Sequence, residues 1–302
     1  MAKECTHHHC SHTYHASAFG VSGEILRPTQ RSIPAHAATT LAPGGGRGFN
    51  RTENIQIDGL LSFSAAYTEV GGSFDQCHQV HTSYASSVIE DLNIADVVKA
   101  DRVVSRIAVY SPIEGSDEES SFDITGSHFE NLRICGRHID VELATGDFHK
   151  HDTHSKFEQA YRSGDVSHLF FLSGLENASE EKLAELKDKY HALHGFAERV
   201  ARWKEIKKAK AQKAEAKDGT IRSYSCSAAG HLDLKDHVDS NSELEGYGPI
   251  ICIPKFGIVR LAEVHIHKER RSLNMLRVDM CSSGEGTIHT GGSGGGSGGG
   301  FP

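Results

Sequence analysis

Short runs of β-branched and aliphatic residues, separated by polar pairs instead of helix caps, constrain this chain more than any other feature. Between Tyr84 and Tyr110 they comprise Val88, Leu92, Ile94, Val97, Val98, Val103, Val104, Ile107 and Val109. Phe122 to Leu143 continue in the same style with Ile124, Phe129, Leu132, Ile134, Ile139 and Val141. Ile250 to Met280 do so again, through Ile251, Ile253, Ile258, Leu261, Val264, Ile266, Leu273, Leu276 and Val278. Side chains of this shape fit a pleated, half-buried surface, and runs this short read as strands. Glu90-Asp-Leu-Asn-Ile94 and Glu130-Asn-Leu-Arg-Ile134 look alike at a spacing of 40 residues. The pattern predicts a mainly β fold, either a β-solenoid-like or a β-sandwich domain, and periodicity alone does not choose between them.

The strands are expected to start early. Residues 13–29 alternate small and larger side chains around Gly20 and Gly23, which suits a strand with a bend. Pro28, Pro34 and Pro43 with Gly44-Gly-Gly46 mark a loop to about residue 53. Asn54 to Val70 reads as strand, ended by Gly71-Gly72.

One stretch has a different period. Leu183, Leu186, Tyr190, Leu193, Ala197 and Val200 recur every three or four residues and share one helix face. Ser179 is a fitting N-cap. Glu180 and Glu181 stand in the first turn, while Lys207, Lys208, Lys210 and Lys213 crowd the far end, matching the macrodipole. Residues 178–217 are therefore predicted as an inserted long α-helix or, bent at Gly195, a helical hairpin. A shorter helix is expected at 155–172. An unbroken helix here would be about 60 Å long.

The organisation that follows is a His/Cys-rich tail at 1–15, a first β part at 16–150, a helical insertion at 151–217, a second β part at 218–285 and a Gly/Ser-rich tail at 286–302. The last segment, Gly291-Gly-Ser-Gly-Gly-Gly-Ser-Gly298 and beyond, has almost no side chains to bury and is expected to be flexible coil. The length of 302 residues allows one large domain or two smaller ones. A formal charge of −8 argues against general nucleic-acid binding. No apolar run approaches the ~20 residues of a membrane-spanning helix. Where a secretory signal would place its apolar core, the chain has His7, His8 and His9, so a cytoplasmic location is expected. Cys5, Cys10, Cys77, Cys135, Cys226, Cys252 and Cys281 are sparse and odd in number, unlike a disulfide scaffold. Cys135 and Cys252 lie in apolar runs and are expected in the core.

Four blocks in order, Ala16-Ser-Ala-Phe-Gly-Val-Ser-Gly23, Asp96-Val-Val-Lys-Ala-Asp-Arg-Val-Val-Ser105, Phe129-Glu-Asn-Leu-Arg-Ile-Cys-Gly136 and Leu273-Asn-Met-Leu-Arg-Val278, resemble the bacterial choice-of-anchor β proteins of the surface-exported kind. The resemblance covers about 15–145 and 250–282. It implies an all-β, noncatalytic cell-surface or matrix protein and carries no catalytic motif. The chain departs from that family in lacking an export signal, in its histidine content and in the helical insertion.

The 21 histidines are the chemical anomaly. Cys5, His7, His8, His9, Cys10 and His12 fall within a few residues of one another, and thiolates with neutral imidazoles suit Zn²⁺ or Cu. His149, His151 and His154, with Asp152 among them, form a second cluster. His265 and His267 alternate with Val264 and Ile266, which puts both imidazoles on one strand face. No nucleophile elbow, phosphate loop or His-Glu-x-x-His is present, and Gly44-Gly-Gly-Arg-Gly48 opens no recognisable helix. No cofactor is assigned beyond the Zn²⁺ or Cu these clusters would take. Two functions fit the residues: a noncatalytic structural or assembly protein forming a homo-oligomer or polymer, and a metal-dependent hydrolase with His265, His267 and a histidine from 149–154 as ligands.

Overall fold

The structure is a computed structural model that describes residues 12–26, 30–170, 181, 223–229, 232, 244–247, 249–281 and 285–298. The predicted helix at 178–217 lies outside the described residues, apart from Glu181.

Seventeen strands are described: β1 (Thr13–Ile25), β2 (Arg31–His36), β3 (Thr39–Thr40), β4 (Gly46–Ile57), β5 (Leu61–Asp75), β6 (Val80–Ile94), β7 (Val98–Pro112), β8 (Ser121–Asp123), β9 (His128–Glu130), β10 (Arg133–Ile134), β11 (Arg137–His138), β12 (Ser223–Ser227), β13 (Glu245–Tyr247), β14 (Ile250–Ile253), β15 (Gly257–His267), β16 (Arg270–Cys281) and β17 (Glu285–Gly298). They make two antiparallel sheets stacked as a sandwich. Sheet 1 runs β13-β14-β15-β16-β17-β1-β2, with β12 also on β15 and β3 on β1. Sheet 2 runs β11-β10-β7-β6-β5-β4, with β8 and β9 also on β7. Of the two β architectures the sequence allows, the chain forms the sandwich.

The Gly/Ser tract is not a flexible tail. It is β17, registered against β1 from Thr13↔Gly298 to Ile25↔Gly286 on one side and against β16 on the other. Glycine has no side chain to drive strand formation, so the neighbours impose it. What glycine contributes is space. A Cβ on Gly295 would stand 3.2 Å from Val109 of the opposite sheet, and one on Gly292 would sit 2.1 Å from the Phe19 ring. Beside them Ser293 Oγ meets Ser105 Oγ across the sandwich at 2.6 Å. Bare backbone at Gly295 lets the sheets approach closely, and at Gly292 it leaves room for the Phe19 ring of the neighbouring strand.

One line of irregularity crosses each sheet. Gly20, Ala262, Met275 and Gly291 in sheet 1, and Asn54, Ser64, Asp91 and Asp101 in sheet 2, are missing from otherwise continuous ladders. Ala262, Gly291, Asn54 and Asp91 take left-handed φ. Buried positions change parity at this line: Ala16 and Ala18 then Val21 in β1, Ile89 then Leu92 in β6, Ala100 then Val103 in β7. Each strand thus carries one residue that rotates its inward face, as a bulge does. Because adjacent strands do so together, register survives.

The loop expected to last until about residue 53 instead contains β2, β3 and the first half of β4. Pro34 is tolerated in β2 because that strand is a sheet edge, where a missing N–H costs no ladder bond. Cys252 is buried as expected, but Cys135 is exposed, because its left-handed φ places it in the β10–β11 turn.

The two look-alike segments end on opposite sides of one strand. Glu90 and Glu130 both pair Arg102 of β7, Asn93 and Arg133 both pair Lys99, and Ile94 and Ile134 both pair Val98. Their left-handed residues match as well, Asp91 with Asn131 and Ala95 with Cys135. Arg102 bridges both glutamates, at 3.0 and 3.4 Å.

Helices α1 (Thr145–Lys150) and α2 (His154–Ser163) follow sheet 2, so the first β part ends before residue 150. Thr153 caps α2 by accepting from the Lys156 N–H, and Gly164 closes it in left-handed conformation. Their apolar face closes a corner of the core: Phe148 lies 6.0 Å from both Phe122 and Phe157, and Phe157 lies 5.4 Å from Tyr224 of β12. Each buried phenylalanine contributes about 1.5–3 kcal/mol. The helical unit therefore ties β8 of sheet 2 to β12 of sheet 1.

Candidate functional site

The sequence-predicted ligands among the described residues do not gather into one site. Cys5, His7, His8, His9 and Cys10 lie outside the described residues. His12, just ahead of β1, stacks on His81 of β6 with ring centroids 3.8 Å apart. Tyr14 Oη meets His81 Nδ1 at 2.9 Å. Burial, then the neighbouring His81 and His15 imidazoles, push the His12 pKa down to about 4. His149 on α1 is exposed and His151 half-buried. His265 is exposed and His267 half-buried, on one face of β15 as the alternation predicts.

His154 is the exception, at 4% exposed in the first turn of α2. Its ring lies 5.4 Å from that of Tyr224, and its Nε2 has no hydrogen-bond partner among the described residues. Burial lowers its pKa, with Glu119 opposing and Arg271 and His267 adding to the effect. Two of the expected ligands, His154 and His267, are thus within electrostatic reach of each other. They share that space with a guanidinium: Arg271 donates to the His267 carbonyl and stacks over Phe122 at 5.6 Å. Glu119 Oε2 accepts from the Ser155 N–H at 3.0 Å, which ties that carboxylate to the start of α2. Glu119 thus stands close to both His154 and Arg271, and the fixed guanidinium among these groups opposes a second cation there. Among the described residues no three His, Cys, Asp or Glu side chains are grouped so as to hold a metal.

A second polar cluster was not anticipated. On β15, Arg260 and Glu263 are 4% and 2% exposed, and Asp279 on β16 is 5% exposed. Asp279 lies 3.3 Å from Arg260 Nε and 2.9 Å from Arg277 Nε, and it accepts from Thr287 Oγ1 at 3.0 Å. Arg260 also reaches Glu263 at 3.7 Å. Asn274, with its amide turned to suit both neighbours, accepts from His289 Nδ1 at 3.0 Å and donates to the Thr290 carbonyl at 2.9 Å. Burial, then Arg277, lowers the His289 pKa. The sequence signal was there: charged residues interrupting the apolar runs of 250–280.

The open feature is the edge of sheet 2. β4 is 12 residues long and, among the described residues, pairs only β5. Its inner face is covered at the sandwich mouth by residues 37–40, through Asn50 Nδ2 to the Ala38 carbonyl at 2.8 Å and the Ala37 N–H to Thr52 Oγ1 at 3.0 Å. Its outer face shows Arg47, Phe49, Arg51 and Glu53, all exposed, with Phe49 at 65%. Arg51 and Glu53 form an ion pair at 2.5 Å. The Arg51 N–H donates to Asn50 Oδ1 at 2.8 Å.

These features define a class: a two-sheet antiparallel β-sandwich with a charged cluster buried in its packing and a long edge strand, β4, on sheet 2. Over residues 12–267 the chain matches the family described as a domain of unknown function, DUF8256, and it belongs to that family. β16 and β17, which complete sheet 1, lie past the matched segment. No curated protein matches the chain, and no solved structure does.

Proposed function

We propose that this chain is a noncatalytic structural module that works by self-association, in a bacterial surface or matrix setting. One observation carries the reading: β4 offers a 12-residue edge with no strand on its outer side among the described residues. Strand edges are templates for adding another strand, and proteins that stay monomeric usually shorten or cover them. The histidine and arginine clusters support the same reading, since their buried members knit strands and helices together. The resemblance to choice-of-anchor β proteins supports the setting. Sedimentation velocity of the full chain across a wide concentration range tests the association. A species of at least twice the monomer mass is expected, and a monomer at every concentration overturns the reading.

A further inference from the structure

We infer that β4 pairs with β4 of a second copy about a two-fold axis at Asn50; this rests on the self-association reading and names its interface. The usable edge is residues 47–53, a straight segment bounded by left-handed φ at Gly46 and Asn54. Its outward side chains are Arg47, Phe49, Arg51 and Glu53. The Arg51 N–H, occupied by the Asn50 side chain, stands outside the β5 ladder, so the odd-numbered residues turn their backbone groups to the open edge. A two-fold antiparallel pair must then set odd residues against odd.

Three registers meet that condition near the centre of the segment, and charge separates them. Centred on Arg51, the pairing sets that arginine against itself. Centred on Phe49, it sets Arg47 against the partner's Arg51. Centred on Asn50, it sets Arg47 against the partner's Glu53 and Phe49 against the partner's Arg51, each twice by symmetry. Opposite charges face each other and the exposed Phe49 ring meets a guanidinium, a favourable cation–π pair. Of these three only this register has no like-charge pair among the outward residues, and a Thr52-centred pairing, which also sets Arg51 against the partner's Glu53, would hold only residues 51–53 of the segment in register. Two eight-stranded sheets would merge into one continuous sheet. In forming the pair, Asn50 Oδ1 releases the Arg51 N–H to the partner's Phe49 carbonyl. That local cap is the safeguard against indiscriminate edge pairing.

The axis gives a direct test. Residues at a non-hydrogen-bonded antiparallel position lie about 4.5 Å apart between Cα atoms, within the range a disulfide spans. Asn50→Cys in the full chain should give a disulfide-linked dimer on mild oxidation. Mass spectrometry should find a peptide cross-linked through the two introduced thiols, absent from the unsubstituted protein. Independently of Asn50, Arg47→Glu should weaken dimerisation roughly tenfold for each of the two reversed pairs. The double variant Arg47→Glu/Glu53→Arg should restore it. A dimer by sedimentation without that cross-link between the introduced thiols, and indifferent to Arg47→Glu, overturns this interface and leaves self-association standing. A monomer throughout overturns both.

Discussion

A pair of substitutions in the Gly/Ser tract distinguishes a core strand from a flexible tail. In β17, Gly295 faces the opposite sheet and Gly294 faces away. A Cβ at 295 would lie 3.2 Å from Val109 Cγ2, tighter than ordinary contact, with the His15 carbonyl oxygen next at 3.6 Å. The two further methyls of a valine would have to enter the space between the sheets. Overpacking a filled core costs about 1–3 kcal/mol, or roughly 2–12 °C in Tm at about 2–4 °C per kcal/mol for a chain of this size class. At 294 the nearest atoms are the Arg271 carbonyl oxygen and Ser272 Cβ, both at 3.4 Å, which is ordinary contact. Valine there removes the entropic penalty of a strand glycine, worth roughly 0.5–1 kcal/mol. Gly294→Val should therefore match or exceed the parent protein in thermal and urea unfolding, while Gly295→Val falls clearly below it. In a flexible tail neither substitution matters. If both variants unfold within about 0.5 kcal/mol of the parent, the core-strand reasoning is refuted.

Asp279→Ala leaves the Arg260 and Arg277 guanidiniums without the carboxylate they share, and breaking one side of a buried ion pair costs about 3–5 kcal/mol; a drop in urea midpoint at unchanged slope is expected, and a loss under about 1 kcal/mol would contradict the buried network. For His12 the sign is acid lability. Its folded pKa of about 4 lies below the ordinary 6.5, so above 6.5 both states are neutral, and between 6.5 and 4 only the unfolded chain takes the proton. Stability should fall through that window, and His12→Gln should flatten the fall; an identical pH profile for the variant would reject the imidazole stack as its cause.

The candidate sites were legible only in part. His265 and His267 do share a face of β15, because strand alternation is local. Whether a third ligand meets them depends on where α2 carries His154 and on the Arg271 guanidinium that acts on the same histidine, which no spacing encodes. The first half of edge strand β4 was hidden for a related reason: Arg47, Asn50 and Arg51 read as loop, and only pairing with β5 makes that segment a strand.

By itself the sequence determined what short-range physics determines. Aliphatic pulses too short for helices made the chain mainly β, and the likeness of residues 90–94 to 130–134 marked two segments with the same backbone geometry. The tertiary structure decided everything that depends on a neighbour. It chose the sandwich over the solenoid by stacking the sheets. It made β17 a strand where glycine and serine alone would stay coil, because β1 and β16 satisfy its backbone on both sides. It turned every long strand once, at an aligned row, so that inward faces change parity in a way alternation along a single strand cannot show. Side-chain periodicity is written in the chain one segment at a time, whereas hydrogen bonds between strands and contacts between sheets exist only once distant segments lie side by side.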